Sequence, residues 1–139
     1  MTHLTFPPRE LARMHAHAVE GYPHEVVGIL AGQGRHVSRV APLVNERADS
    51  AHNRYLVSGL MLARAEQRLE DQGLTILGYY HSHPDHPARY SDFDRDHALP
   101  NLSYVIVSVR EGEVADTLSW RLADDRSEMH AETIHIEEA

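Results

Sequence analysis

An apolar run near the middle of the chain places the tightest limit on the fold. The segment SYVIVSVR (103–110) is almost continuously apolar, which is typical of a central strand covered on both faces. A second apolar run, LTILGYYHSH (74–83), predicts another strand, and this one ends in two histidines. Together these two runs indicate a sheet.

Helical patterns separate these strands. Apolar residues at helical spacing predict one helix over 8–21 and a second, clearer one from Ser58 to Gly73; a short helix is expected over 91–99. The remaining strands are expected at 25–32, 35–45, 114–122 and 128–136, with a polar connection at 46–53 and a short extended piece at 54–58. The order αββαβαβββ predicts one α/β domain with a mixed sheet over residues 1–139.

The composition restricts location and partners. The chain has 139 residues, 42% of them hydrophobic, and no apolar run approaches the length of a membrane span. No secretory signal is visible at the N-terminus, so a cytoplasmic protein is expected. The net charge of -8, without a cluster of basic residues, disfavours nucleic acid and anionic membranes as partners.

The absence of cysteine restricts the chemistry. There are no cysteines, which excludes disulfides, thiolate nucleophiles and Cys-based zinc sites. A zinc deaminase, which needs a P-C-x-x-C segment, is excluded by the same count. Any metal would be held by His, Asp or Glu.

The stretch HSHPDHPARYSDFD contains the residues best suited to hold a metal. His81 and His83 are two apart at a strand end, so their side chains point to the same side. Ser91 and Asp94 open the next helix, where they also form a good capping box. Helix capping alone would account for Ser91 and Asp94, and an isolated H-x-H pair is weak evidence for a metal site. The two patterns together instead indicate a metal site with three protein ligands, two His and one Asp, and a fourth position for water.

This pattern resembles the zinc signature of the JAMM or MPN-plus metalloproteases, the Mov34/MPN/PAD-1 family. The family motif H-S-H-P-x(6)-S-x-x-D corresponds to His81, His83, Ser91 and Asp94, and the upstream P-x-E-x-x-G-x-L motif corresponds to PHEVVGIL, with Glu25 as its glutamate. The resemblance implies an MPN/JAB1-like, cytidine-deaminase-like fold, a mixed curved β-sheet flanked by helices. The short chain resembles the compact bacterial type.

The resemblance also implies a mechanism. One Zn²⁺ per chain would be bound by His81, His83 and Asp94, and Glu25 would act as general base and then general acid. Strand alternation puts Glu25 on the side of Val27 and Ile29, an awkward place for an idle carboxylate. Ser91 would donate a hydrogen bond to the oxyanion.

The implied substrate is a ubiquitin-like or sulfur-carrier protein, cut after its C-terminal Gly-Gly tail. Such a tail offers no side chains to grip, so it is expected to bind as an added edge strand. Two alternatives stay open: a non-catalytic MPN scaffold module, which typically lacks the ligands present here, and a DNA-linked RadC-type protein, which the acidic charge disfavours. The oligomeric state is left open.

Several neighbouring residues carry lesser expectations. Tyr90 departs from the family, in which many members have Pro before the Ser, and this bears on the stiffness of the Ser91 loop. Phe93 and Trp120 are expected in the core. Asp96 and His97 are expected to be solvated or to support the ligands, and His86 is expected to be an ordinary loop histidine, with a substrate-gating role as the alternative.

Overall fold

The computed structural model describes residues 2–43 and 59–138. The elements are β1 (His3–Phe6), α1 (Pro8–Gly21), β2 (Val27–Gln33), β3 (His36–Leu43), α2 (Gly59–Asp71), β4 (Thr75–Pro84), α3 (Asp92–His97), β5 (Ser103–Arg110), β6 (Glu113–Leu122) and β7 (Met129–Ile136). All the elements predicted within these ranges are present. The predicted connection at 46–53 and the extended piece at 54–58 lie outside the described residues.

The seven strands form one mixed sheet that closes on itself. Their order is β1-β3-β2-β4-β5-β6-β7, with β1 returning to β7. The β4–β5, β1–β3 and β1–β7 pairs are parallel and the others are antiparallel. This confirms the expected mixed, curved sheet. Strand β1 is an addition that sequence patterns did not predict, and its four pairs with β7 close the sheet.

Helix α1 covers one face of the sheet and forms the main core with it. Met14 and Ala18 are buried against apolar residues from both halves of the sheet, including Phe6, Leu30 and Val105. The carboxylate of Glu10 is buried with them, and it accepts a hydrogen bond from the Val40 amide at 2.8 Å. That bond gives the buried charge a partner and ties α1 to β3.

Strand β4 separates two environments. Tyr80 points into the main core under α1, whereas Tyr79 packs in a smaller cluster with residues of α2. His81 and His83 therefore lie on the Tyr79 side by strand alternation. A Cβ at Gly28 of β2 would lie 2.1 Å from the Tyr80 ring, which explains why the PHEVVGIL segment needs glycine there.

Within the described ranges, no helix has both the length and the apolar character to cross a membrane.

Candidate metal centre

Three buried side chains meet at the end of β4. The Nε2 atoms of His81 and His83 lie 3.2 Å apart, and the Asp94 carboxylate oxygens lie 3.6 Å from His81 Nε2 and 4.0 Å from His83 Nε2. The exposed fractions of the three residues are 6%, 8% and 4%. Ligand atoms held about 2.0–2.1 Å from one tetrahedral ion are about 3.3 Å apart, so the spacing suits a metal such as Zn²⁺. The sequence prediction that these three residues meet is confirmed.

The His83 ring is held in the orientation that a metal ligand needs. Its Nδ1 atom lies 2.8 Å from the Pro87 carbonyl oxygen. A carbonyl can only accept, so Nδ1 carries a proton, and in the neutral ring that binds metals the lone pair is then on Nε2. That lone pair is directed toward His81 and Asp94, and a backbone carbonyl on the distal nitrogen is the usual support of a metal-bound histidine.

The predicted capping box brings Asp94 to the histidines. Ser91 Oγ accepts from the Asp94 amide at 3.1 Å, and the Ser91 amide donates to Asp94 Oδ2 at 2.8 Å. The capping interpretation and the metal-ligand interpretation of Ser91–Asp94 therefore describe one arrangement. The cap that starts α3 also orients the Asp94 carboxylate toward His81 and His83.

The loop that joins β4 to α3 is held by its carbonyl groups. The carbonyl oxygens of residues 86–88 accept, in order, from Ser108 Oγ at 2.6 Å, His83 Nδ1 at 2.8 Å and Trp120 Nε1 at 3.0 Å. The Tyr90 ring packs edge-on against Trp120, with centroids 5.0 Å apart. These side-chain contacts hold the loop that leads to Ser91.

Glu25 lies two residues before β2, beside the end of β4 that carries the histidines. The Ser82 amide donates to the Val26 carbonyl at 3.1 Å, and Val27 is opposite His81 in the β2–β4 register. Continuing that register places Glu25 level with His83 and on the same face of the sheet. Glu25 is half-buried. Its proton-transfer role stays a prediction.

The other residues near the motif differ in their burial. Trp120 is buried, as predicted, but Phe93 is 44% exposed and stacks on His97 with ring centroids 3.9 Å apart. The core prediction for Phe93 is wrong because Asp94 occupies the inward face of this six-residue helix. Asp96 and His97 are exposed, as expected of solvated residues, and the loop residue His86 is exposed as well.

An apolar cavity of about 300 Å³ adjoins the metal centre, and His81 forms part of its wall. Most of the wall is apolar or aromatic, with Val27, Leu43, Leu62, Tyr79, Leu99 and Tyr104 contributing. Burial raises the pKa of Tyr79, and its hydrogen bond to Glu66 adds to the effect, so this wall residue stays uncharged. Sequence reasoning missed the cavity because its residues come from separate segments.

Comparison with known proteins identifies the family. Residues 7–123 match the family described as prokaryotic homologs of the JAB domain. The chain belongs to this family.

Individual relatives agree with the assignment. A Thermus thermophilus protein named "Probable TtuB-protein conjugate cleaving protease" is 41% identical over 103 residues, which are 74% of this chain and 68% of that protein. A solution structure of a Desulfitobacterium hafniense protein matches with a TM-score of 0.82 and 29% identity, covering 98% of this chain and 94% of the other.

A more distant structure shares the fold. It is described as "JAMM: A Metalloprotease-like Zinc Site in the Proteasome and Signalosome", and it matches with a TM-score of 0.62 and 14% identity over 99% of this chain and 100% of the other. Together these relatives confirm the predicted JAMM/MPN resemblance and fold, and the prediction of a protease. They favour the enzyme over the scaffold alternative.

Proposed function

We propose that the protein is a zinc-dependent isopeptidase or peptidase that hydrolyses the bond after the C-terminal Gly-Gly tail of a ubiquitin-like or sulfur-carrier protein. The observation that carries the proposal is the convergence of His81 Nε2, His83 Nε2 and the Asp94 carboxylate at one buried point. The relative named as a TtuB-conjugate cleaving protease supports the substrate class.

The donor set suits zinc. Two neutral imidazole nitrogens and one carboxylate are a common catalytic ligand set, and it leaves one position for water or substrate. When bound, zinc would act as a Lewis acid and lower the pKa of its water to about 7. His81, His83 and Asp94 would hold the ion, and the distances among their ligand atoms fit that role.

The remaining chemistry would fall to Glu25 and Ser91. Glu25, level with His83, would take a proton from the attacking water as its oxygen adds to the scissile carbonyl carbon. Glu25 would then pass that proton to the amine nitrogen as the C–N bond breaks. The Ser91 hydroxyl would donate a hydrogen bond to the carbonyl oxygen while still accepting from the Asp94 amide, because a hydroxyl can do both.

The substrate tail would approach beside the ligands. An extended tail could not add beside β4, which has β2 on one side and β5 on the other. Because the sheet is closed, the tail would have to pair where a strand runs past its neighbour, as β6 does over 113–118, since β7 pairs with β6 only over 119–122. The narrow Gly-Gly end would suit the ligand cluster, and the cavity next to His81 would leave room for bulkier neighbouring residues. We also propose that the protein itself is cytoplasmic, in the same compartment as such carrier substrates.

Metal content and cleavage test the proposal together. We expect about one zinc per chain in the wild type and in Glu25→Gln, and almost none in Asp94→Ala. Carrier proteins ending in Gly-Gly, fused to a peptide or linked to a lysine side chain, should be cut by the wild type alone. A carrier ending in Ala-Ala is the matched control. Wild-type protein that binds no supplied zinc, or that ignores the Gly-Gly junction, would refute the proposal.

A further inference from the structure

Glu25 sits in a short connection that is attached on both sides to the segment that carries the metal-binding histidines. We infer that Ser82 and Asp85 are positioning residues that hold the Glu25 carboxylate at its working distance from His81 and His83. The inference rests on the proposed function, because it concerns the group proposed to move the proton.

Ser82 provides the attachment that follows Glu25. Its Oγ accepts from the Val26 amide at 2.9 Å, and its own amide donates to the Val26 carbonyl at 3.1 Å. Both polar groups of Val26 are thus bound to one residue, and that residue is only 1% exposed. Ser82 is also the residue between the two histidines, so Val26 is fixed relative to both of them.

Asp85 provides the attachment that precedes Glu25. Its Oδ2 accepts from the Tyr22 hydroxyl at 2.7 Å, and Tyr22 lies at the end of α1, three residues before Glu25. Asp85 is itself held to the end of β5: its amide donates to Val109 O at 2.7 Å, and its Oδ1 accepts from the Glu111 amide at 3.0 Å. Its φ of 58° lies in the left-handed region, which aspartate tolerates better than most residues.

The two attachments together restrain the whole connection. Residues 81–85 supply two proposed ligands, His81 and His83, and both anchors of the segment from Tyr22 to Val26. A carboxylate on a short connection tied at both ends has little room to move relative to the ligands. An error of about 1 Å in such a position can lower a rate about 100-fold, so the anchors should matter for turnover rather than for metal binding.

Two substitutions break the anchors separately. Tyr22→Phe removes only the hydroxyl that Asp85 accepts from, at a partly exposed site where folding is not threatened. Ser82→Ala removes the acceptor of the buried Val26 amide. We expect each to lower kcat between about 10- and 100-fold, with zinc content near one per chain and KM within about twofold of wild type.

Two further variants serve as controls. Asp85→Asn keeps the left-handed backbone preference, and its oxygen can accept from the Glu111 amide while its NH2 group donates to the Tyr22 hydroxyl oxygen, so it should retain kcat within about threefold. Ser119→Ala removes another buried serine hydroxyl, which donates to Glu132 over a distance of 2.7 Å. This hydrogen bond is not part of the metal centre, so the folded fraction of Ser119→Ala should keep the wild-type kcat.

A double-mutant cycle and hydrogen exchange decide between positioning and general damage. In a Glu25→Gln background, measured in single turnovers with enzyme in excess, Tyr22→Phe and Ser82→Ala should cause no further loss of cleavage rate, because they act through the same carboxylate.

Hydrogen exchange tests the Ser82 attachment directly. The Val26 amide should exchange faster with solvent in Ser82→Ala and at the wild-type rate in Ser119→Ala. Any of three results would overturn the inference. Both anchor variants could show the wild-type kcat, or they could lose zinc in proportion to their loss of activity. Alternatively, the rate reductions could multiply when an anchor substitution is combined with Glu25→Gln. Full activity in Glu25→Gln alone would instead refute the role proposed for Glu25.

Discussion

Asp94 and Glu132 are two buried carboxylates with contrasting surroundings. Asp94 is 4% exposed and Glu132 is 6% exposed. Glu132 accepts from four donors: Ser103 Oγ at 2.5 Å, Ser119 Oγ at 2.7 Å, Arg35 Nη2 at 2.8 Å and Thr2 Oγ1 at 2.9 Å. Asp94 instead accepts from the Ser91 amide and faces two histidine nitrogens.

The difference shows that burial alone does not identify a functional acid. Donors from β5, from β6, from the β2–β3 turn and from the residue before β1 surround Glu132 and satisfy its charge, so its role is to hold the closed sheet together. Asp94 is oriented so that its oxygens and two imidazole nitrogens share one point, which is the arrangement of a metal ligand. The two clusters lie at opposite ends of the β4–β5 pair: Ser103 is opposite Gly78, whereas Ser108 is opposite His83.

The largest expected effect separates the two carboxylates by function. Asp94→Ala should reduce zinc from about one per chain to almost none, and cleavage by more than about 10³-fold, because the bound metal supplies several kcal/mol of transition-state stabilisation. Metal analysis and single-turnover assays measure both. Zinc retained in full by Asp94→Ala would show that Asp94 is not a ligand and would remove the contrast with Glu132.

Substitution of Glu132 should instead affect the stability of the fold. Glu132→Ala leaves a half-buried arginine and two buried serine hydroxyls without their acceptor, and we expect it to lower the free energy of unfolding by about 2–4 kcal/mol. The folded fraction should still bind zinc at the wild-type level. Chemical denaturation of the metal-free protein gives the first quantity, and zinc titration of the folded protein gives the second. Weakened zinc affinity in folded Glu132→Ala would mean that the clusters are coupled.

Ser91 allows capping and catalysis to be told apart within the metal centre. Ser91→Ala should lower the cleavage rate by about 10²–10³-fold through loss of the oxyanion donor and cost about 1 kcal/mol through loss of the cap. Ser91→Gly loses the same donor but costs only a few tenths of a kcal/mol as a cap. Equal rate losses with unequal stabilities are therefore expected. A rate loss that follows stability across the two variants would assign Ser91 to capping alone.

The smallest effect is the pH dependence of the Glu132 cluster. Burial by itself raises the pKa of Glu132, but the hydrogen bonds from Ser103, Ser119 and Thr2 and the charge of Arg35 outweigh it, so the pKa is lowered from its ordinary value of 4.5. A lowered folded-state pKa stabilises the protein above the unfolded-state value, and this contribution is lost as the pH falls below about 4.5.

Glu132→Gln provides the measurement of that effect. Denaturation of the metal-free protein between about pH 3 and 6 should show a steeper loss of stability for the wild type than for Glu132→Gln, which has no proton to bind at this position. Identical pH slopes for the two proteins would show that Glu132 binds protons equally in the folded and unfolded states.

The sequence by itself determined the parts of this protein that depend on local spacing. His81 and His83 meet because alternate residues of a strand share a face, and Asp94 joins them because Ser-x-x-Asp caps a helix. Helix α1 begins and ends where its apolar periodicity and its Pro and Gly predict. Such features depend on backbone geometry within about ten residues, which sequence patterns report directly.

Only the tertiary structure decided the features that join distant segments. β1 is four residues long, too short for a clear alternation signal, and it becomes a strand by pairing with β7 more than 120 residues away. Glu132 resembles any polar strand residue until Ser103, Ser119 and Arg35 surround it. The Tyr22–Asp85 and Val26–Ser82 contacts near Glu25 likewise depend on how β2 and β4 pair. These contacts form where strands from distant parts of the chain pair, and no local pattern encodes that register.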